Sequence, residues 1–141
     1  MPFGFRESSY VRSADSSPIS VNLEGQTAYG QAYHGFWPTD LFSINPHFGT
    51  SDDLKALSDE LHRRGMFLMV DTVLNHLAST STSLDPAKLQ SEKMMFTDPN
   101  EYHPYCPVDS SNRESQLKCW MGDQKVALMD LNTENGRSMH T

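Results

Sequence analysis

The run Met66-Phe67-Leu68-Met69-Val70-Asp71-Thr72-Val73-Leu74-Asn75-His76 constrains the fold more than any other stretch of this chain. Five consecutive apolar residues, placed after a helix and a glycine, predict a strand of a parallel sheet covered on both faces. The strand ends abruptly in a carboxylate, an amide and an imidazole. Parallel sheets collect ligands at the carboxyl ends of their strands, so Asp71, Asn75 and His76 are candidate site residues from position alone. The helix ahead of the strand is predicted over Thr50 to Arg64. Ser51 or Thr50 caps it, Asp52 and Asp53 favour its positive end, Leu54, Leu57 and Leu61 form one apolar stripe, and Gly65 stops it. Asp59–Arg63 and Glu60–Arg64 have the spacing of i,i+4 ion pairs on its wet side.

Helix, short turn and buried strand make half of a repeating β/α unit, and a single parallel strand leaves both of its edges unpaired. Leu77 to Thr141 offers Ser/Thr-, Pro- and Asn/Asp-rich segments with only short apolar patches. The sheet therefore needs further strands, and the chain reads as part of something larger. Ser17 to Phe48 reads as a long loop dense in aromatics. Met1 to Ser16 has no periodicity and reads as disordered or foreign to the fold.

Charge and hydropathy remove several function classes. The balance of 11 Lys+Arg against 18 Asp+Glu gives −7, with no basic run, which argues against nucleic acid or an anionic membrane as partner. No apolar stretch approaches bilayer-spanning length. Met1 to Ser20 lacks an apolar core of signal-peptide length. Cys106 and Cys119 lie in irregular chain marked by Pro104, Pro107, Asp109 and Asn112. That context favours a disulfide over two free buried thiols. Such a bond would contribute about 3 kcal/mol and imply an oxidising compartment.

Three constellations can carry chemistry. In Tyr29-Gly30-Gln31-Ala32-Tyr33-His34-Gly35-Phe36-Trp37, aromatic faces alternate with histidine and glycine, which suits the apolar face and hydroxyls of a sugar. The structural alternative, a loop pinned by its own aromatics, is favoured on composition alone. In the second, Asn75 offers an amide oxygen to a hard cation and His76 a hydrogen bond to a substrate hydroxyl, while Asp71 acts structurally. The third runs from Cys119-Trp120-Met121-Gly122-Asp123 to Asp130, a second oxygen ligand for a calcium-like ion, although a lone loop aspartate is more often a turn residue. The six histidines show no zinc spacing.

Together these residues resemble the fungal α-amylases of the α-amylase family of glycoside hydrolases. Gln26 to Trp37 with Asp40, Gly49-Thr50 through Asp71, Asn75-His76, and Cys119-Trp120 with Gly122-Asp123 are similar in order and spacing, from about Ser17 to Thr133. The resemblance implies an α/β fold: a fragment of a (β/α)8 TIM barrel with an irregular domain B inserted after the third strand. Residues 17–75 would be partial barrel, with Ser17-Pro18-Ile19 the tail of the second strand and Met66 to Val73 the third; 76–132 would be domain B, and 133–141 the start of the return.

Residue by residue, the resemblance implies that His34, Trp37 and His76 contact the scissile sugar. Phe36 stands where a tyrosine is usual, and Tyr29 supports the same wall. Asn75, the Leu117 carbonyl and Asp130 would bind Ca2+, and Cys106–Cys119 would be the domain B disulfide. It implies a secreted monomer that cleaves α-1,4-glucan (starch, maltooligosaccharides) in endo fashion with retention. The family's three catalytic carboxylates have no counterpart here, and no Gly-x-Arg-x-Asp motif follows domain B. The expectation is therefore no activity from these residues alone. The alternatives are a non-catalytic calcium- or glucan-binding module, or an α-glucosidase or transglycosylase of the same family.

Overall fold

The computed structural model describes residues 12–135. Its barrel-like part is one β–α–β unit. β1 (Ser13–Ser16) pairs in parallel with β4 (Phe67–Val70), in register from Ser13↔Phe67 to Ser16↔Val70. The ladder is extended by Phe67 N–H on Arg12 O at 2.9 Å and Asp71 N–H on Ser16 O at 3.2 Å. The strand predicted as Met66 to Val73 is thus shorter. Its partner lies in the segment read as outside the fold, ahead of Ser17-Pro18-Ile19. Ser-Ala-Asp-Ser carries no apolar pattern, so only pairing with β4 reveals it as a strand.

The crossover between these strands contains α1 (Ser51–Arg63). Thr50 is its cap: the hydroxyl accepts from Asp53 N–H while the Asp53 carboxylate accepts from Thr50 N–H at 2.8 Å, a reciprocal capping box. The Asp59–Arg63 pair does not form. Arg63 instead reaches back three residues and binds Glu60 through two nitrogens, at 2.8 and 2.7 Å, and Arg64 binds the same carboxylate. The two guanidinium hydrogen bonds hold the Glu60 carboxyl down at about 2.

The segment expected to be one long loop contains an antiparallel pair, β2 (Ser20–Asn22) and β3 (Pro38–Ile44), with two register shifts. The aromatic loop is the connection between them. Gly35 makes its tight path possible: φ is +86°, and a Cβ there would lie 2.4 Å from the Pro18 carbonyl oxygen. Gly35→Ala is expected to cost about 1–3 kcal/mol from the left-handed backbone and the backbone clash. A lowered urea midpoint, with less effect from alanine at the open position Gly25, would check it.

The core lies elsewhere. β5 (His76–Ser79), β6 (Met121–Gly122) and β7 (Ala127–Asp130) form an antiparallel sheet in the order β5-β7-β6. Two short helices, α2 (Pro86–Ser91) and α3 (Arg113–Lys118), belong to the same region. Leu77, Leu89, Met94, Tyr102, Trp120, Ala127, Met129 and Leu131 form one buried cluster. By contrast, α1 contains no buried residue, and Leu57, Phe67 and Met69 are 48%, 57% and 58% exposed. The expected cover on both faces of β4 is absent among the described residues. The end of the segment expected to return to the barrel, residues 136–141, lies outside the described residues.

Candidate functional site

The site grows from the point where β5 begins. His76 pairs with Asp130 in the β5–β7 register, and Leu131 N–H donates to Asn75 O at 3.0 Å, so the ladder places Asn75, His76 and Asp130 together. His76 is buried, 7% exposed, and its Nε2 lies 3.2 Å from the Phe36 carbonyl oxygen. That hydrogen bond requires the tautomer with the proton on Nε2. Burial pushes the imidazole pKa down, outweighing the upward pull of Phe36 O and Asp130, so the ring is neutral near pH 7. The ring therefore positions the aromatic loop directly, and its Nδ1 is buried without a hydrogen-bond partner among the described residues.

The aromatic loop is organised around His34. Its ring stacks on Phe36 at 5.9 Å and meets Trp37 edge-on at 4.7 Å, while its Nδ1 accepts from Phe36 N–H at 3.0 Å. Trp37 is fixed through its backbone: its N–H donates to the buried Asn22 amide oxygen at 2.8 Å, and its carbonyl accepts from Leu23 N–H. Pinning and presentation coexist here, since Phe36 stays 45% exposed. The pinned-loop reading and the sugar-wall reading therefore describe the same residues.

Tyr29 joins the loop to the β6–β7 hairpin. Its hydroxyl donates to the Asp123 carboxylate, and Lys125 Nζ lies 5.8 Å from the centre of its ring. That hydrogen bond raises the Tyr29 pKa and lowers that of Asp123. Between them is a cleft of about 330 Å³ lined by Tyr29, Trp37, Gly122, Asp123, Val126 and Leu128. Gly122 is required there, because at φ +78° a Cβ would lie 2.3 Å from the Val126 carbonyl oxygen.

The structure brings Asn75 and Asp130, the two side chains expected from the sequence to bind a cation, next to each other. The Asn75 side chain hydrogen-bonds Asp130, whose other partner is His103, with Nδ1 on Oδ2 at 2.7 Å. Burial pushes the Asp130 carboxyl pKa up by more than His103 and Asn75 pull it down. A buried carboxylate with incomplete compensation, beside an amide, fits a hard oxygen-seeking cation. Leu117, whose backbone carbonyl the resemblance implies as a third ligand, lies on α3. Among the described residues no cluster of three or more His, Cys, Asp or Glu is placed to hold a metal. Asp71 is exposed, and its backbone N–H donates to Ser16 O at 3.2 Å.

His103 has no counterpart among the sequence candidates. It stands beside Pro104 in irregular chain, with no informative spacing to Asp130, and only the fold brings it there. Cys106 and Cys119 are joined in a disulfide. Trp120 follows at once, with its indole N–H donating to His103 O at 2.8 Å. The disulfide region thus supports the histidine that holds Asp130.

A parallel pair of strands joined through a helix, β1–α1–β4, is the repeating unit of a barrel-type α/β fold. Residues 17–136 match the family described as "Alpha amylase, catalytic domain". The chain belongs to the α-amylase family of glycoside hydrolases, and its α/β fold is a fragment of that family's TIM barrel with its inserted region. It is 47% identical over 126 residues to the α-amylase mde5 of Schizosaccharomyces pombe, covering 89% of this chain and 24% of that protein. It is 46% identical over 122 residues to an α-amylase of Saccharomycopsis fibuligera, covering 84% and 24%. An α-amylase structure from Malbranchea cinnamomea superposes with a TM-score of 0.78 at 41% identity, covering 89% of this chain and 26% of that one. The α-amylase of Geobacillus thermoleovorans, solved in complex with acarbose, gives 0.67 at 30% identity, covering 89% and 24%. The chain thus spans about a quarter of the length of the curated relatives it matches.

Proposed function

We propose that these residues form part of the sugar-facing wall and the calcium site of an α-amylase that cleaves α-1,4-glucan internally with retention. In this reading 17–75 belong to the barrel and 76–132 to domain B. The observation that carries it is the His76–Phe36 contact, which ties the mouth of the barrel to the aromatic loop across forty residues of chain. Phe36 and Trp37 offer ring faces to the C–H surface of a glucose unit, and His34 fixes the angle between them. Tyr29 closes the wall from the side of the hairpin. His76 acts by holding the Phe36 carbonyl, and its own contact with sugar requires that carbonyl to move away.

In this reading no bond-breaking role falls to the two carboxylates of the described site, Asp123 and Asp130. Retaining hydrolysis needs a nucleophile and an acid/base about 5 Å apart on either side of the glycosidic bond. Asp130 is held by His103 and Asn75, and Asp123 by Tyr29. The 141 residues on their own are therefore proposed to be catalytically silent. The disulfide supports an extracellular setting.

Asn75 and Asp130 would hold the calcium ion, which supplies fixed positive charge between the barrel and the inserted region. The Leu117 backbone carbonyl, on α3, would be the third ligand in this reading. Calcium should raise the thermal midpoint of the chain, by a stabilisation of about 2.7 kcal/mol at a hundredfold excess over Kd. Chelation should reverse the rise, and Asp130→Asn should remove most of it. An equal rise in the variant, or none in the parent chain, would count against the site.

A further inference from the structure

His103 reaches Asp130 twice. Its ring Nδ1 lies 2.7 Å from Asp130 Oδ2, with the two side chains 13% and 9% exposed. Its backbone N–H donates to the Asp130 carbonyl at 3.0 Å. The His103 carbonyl in turn accepts from the Trp120 indole N–H at 2.8 Å. A bridge between Tyr102 and Leu131 carries the backbone pairing one residue further, and the Tyr102 hydroxyl is tied to the Phe96 carbonyl at 2.8 Å. His103 is therefore anchored through its main chain and its neighbours. Among the described residues, the hydrogen bond of its ring is the one to Asp130.

This separation of anchor and ring has a chemical meaning. Asp130 ends β7, and a carboxylate that ligates a hard cation must be held in one orientation, which a hydrogen-bond donor on one of its oxygens supplies. Imidazole nitrogen is itself a poor ligand for such a cation, which prefers carboxylate, amide and carbonyl oxygen. We propose that His103 is a positioning residue of the calcium site: it sets the Asp130 carboxylate for the ion and does not bind the ion itself. This rests on the calcium reading of Asn75 and Asp130 given above. The opposite role, a donor that competes with the ion for the carboxylate, would make removal of the imidazole tighten binding. The sign of the effect separates the two.

Calcium titrated by calorimetry into the full 141-residue chain and its variants tests this directly. His103→Asn places an amide N–H near the position of Nδ1, His103→Gln moves it one bond further away, and His103→Phe keeps a ring without a donor. All three leave the backbone bonds of residue 103 to Asp130 and Trp120 in place. His103→Phe should weaken calcium binding by about tenfold or more, and His103→Asn should restore it to within about threefold of the parent chain. Should His103→Phe not fold, His103→Gln gives the same comparison against His103→Asn. Unchanged or tighter binding by the folded variant without a placed donor would overturn the proposal. Equal losses with and without the placed donor would also overturn it, since that is the pattern of a residue needed only for packing. Binding lost in Asp130→Asn but intact in His103→Phe would remove this role alone, whereas no binding by the parent chain would remove the calcium reading together with it.

Discussion

Trp120→Ala is expected to destabilise the chain by about 3–5 kcal/mol, as large aromatic truncations in a close-packed core do. Trp120 is 1% exposed and lies in the cluster with Leu77, Leu89 and Met129. Its role exceeds volume. The indole N–H donates to His103 O, the backbone N–H donates to Cys106 O at 2.8 Å, and Tyr105 meets the ring edge-on at 5.3 Å. Truncation therefore opens a cavity, leaves His103 O without its indole donor and loosens the residue that grips Asp130. Trp120→Phe keeps most of the packing and loses only the indole bond, so its cost should be smaller, about 1–3 kcal/mol. Urea unfolding of the two variants separates these contributions. Equal midpoints for both would mean that the hydrogen bond, and not the packing, dominates.

Opening the disulfide should cost about 3 kcal/mol in the chain-entropy model, because its partners are 13 residues apart. The loop it closes has little else to hold it. It carries α3, which contains no buried residue, and local caps such as Asn112 on Glu114 and Ser115. The Cys106–Cys119 bond and the Trp120–Cys106 backbone contact are adjacent, so the loss should spread into the core. The double variant Cys106→Ser/Cys119→Ser should lower the urea midpoint, and a reductant should do the same to the parent chain but not to the variant. An unmoved midpoint on reduction would show that the loop contributes nothing to the folded core.

Local chemistry made some of this structure legible in the sequence, and tertiary pairing concealed the rest. α1 was readable because cap, stripe and stop are all encoded between Thr50 and Gly65, and Thr50 proved to be the cap through its reciprocal bond with Asp53. The Asp59–Arg63 pairing failed because two arginines compete for Glu60, which spacing alone does not rank. β1 was invisible, since a polar four-residue strand has no period and exists through its neighbour β4. Burial of β4 was expected from an apolar run that here meets too few partners. Asn75, His76 and Asp130 were readable as a set through family resemblance, and the β5–β7 register brings them together. His103 was not, because the contact that matters joins residues 27 apart across irregular chain.

The central claim is that this chain carries residues that face sugar and cation but none that break the bond. It is tested most directly by incubating the purified 141-residue chain with maltoheptaose and calcium and measuring new reducing ends. The expected result is no release above the uncatalysed background. Release of maltooligosaccharides by the parent chain, lost on His76→Ala, would contradict it.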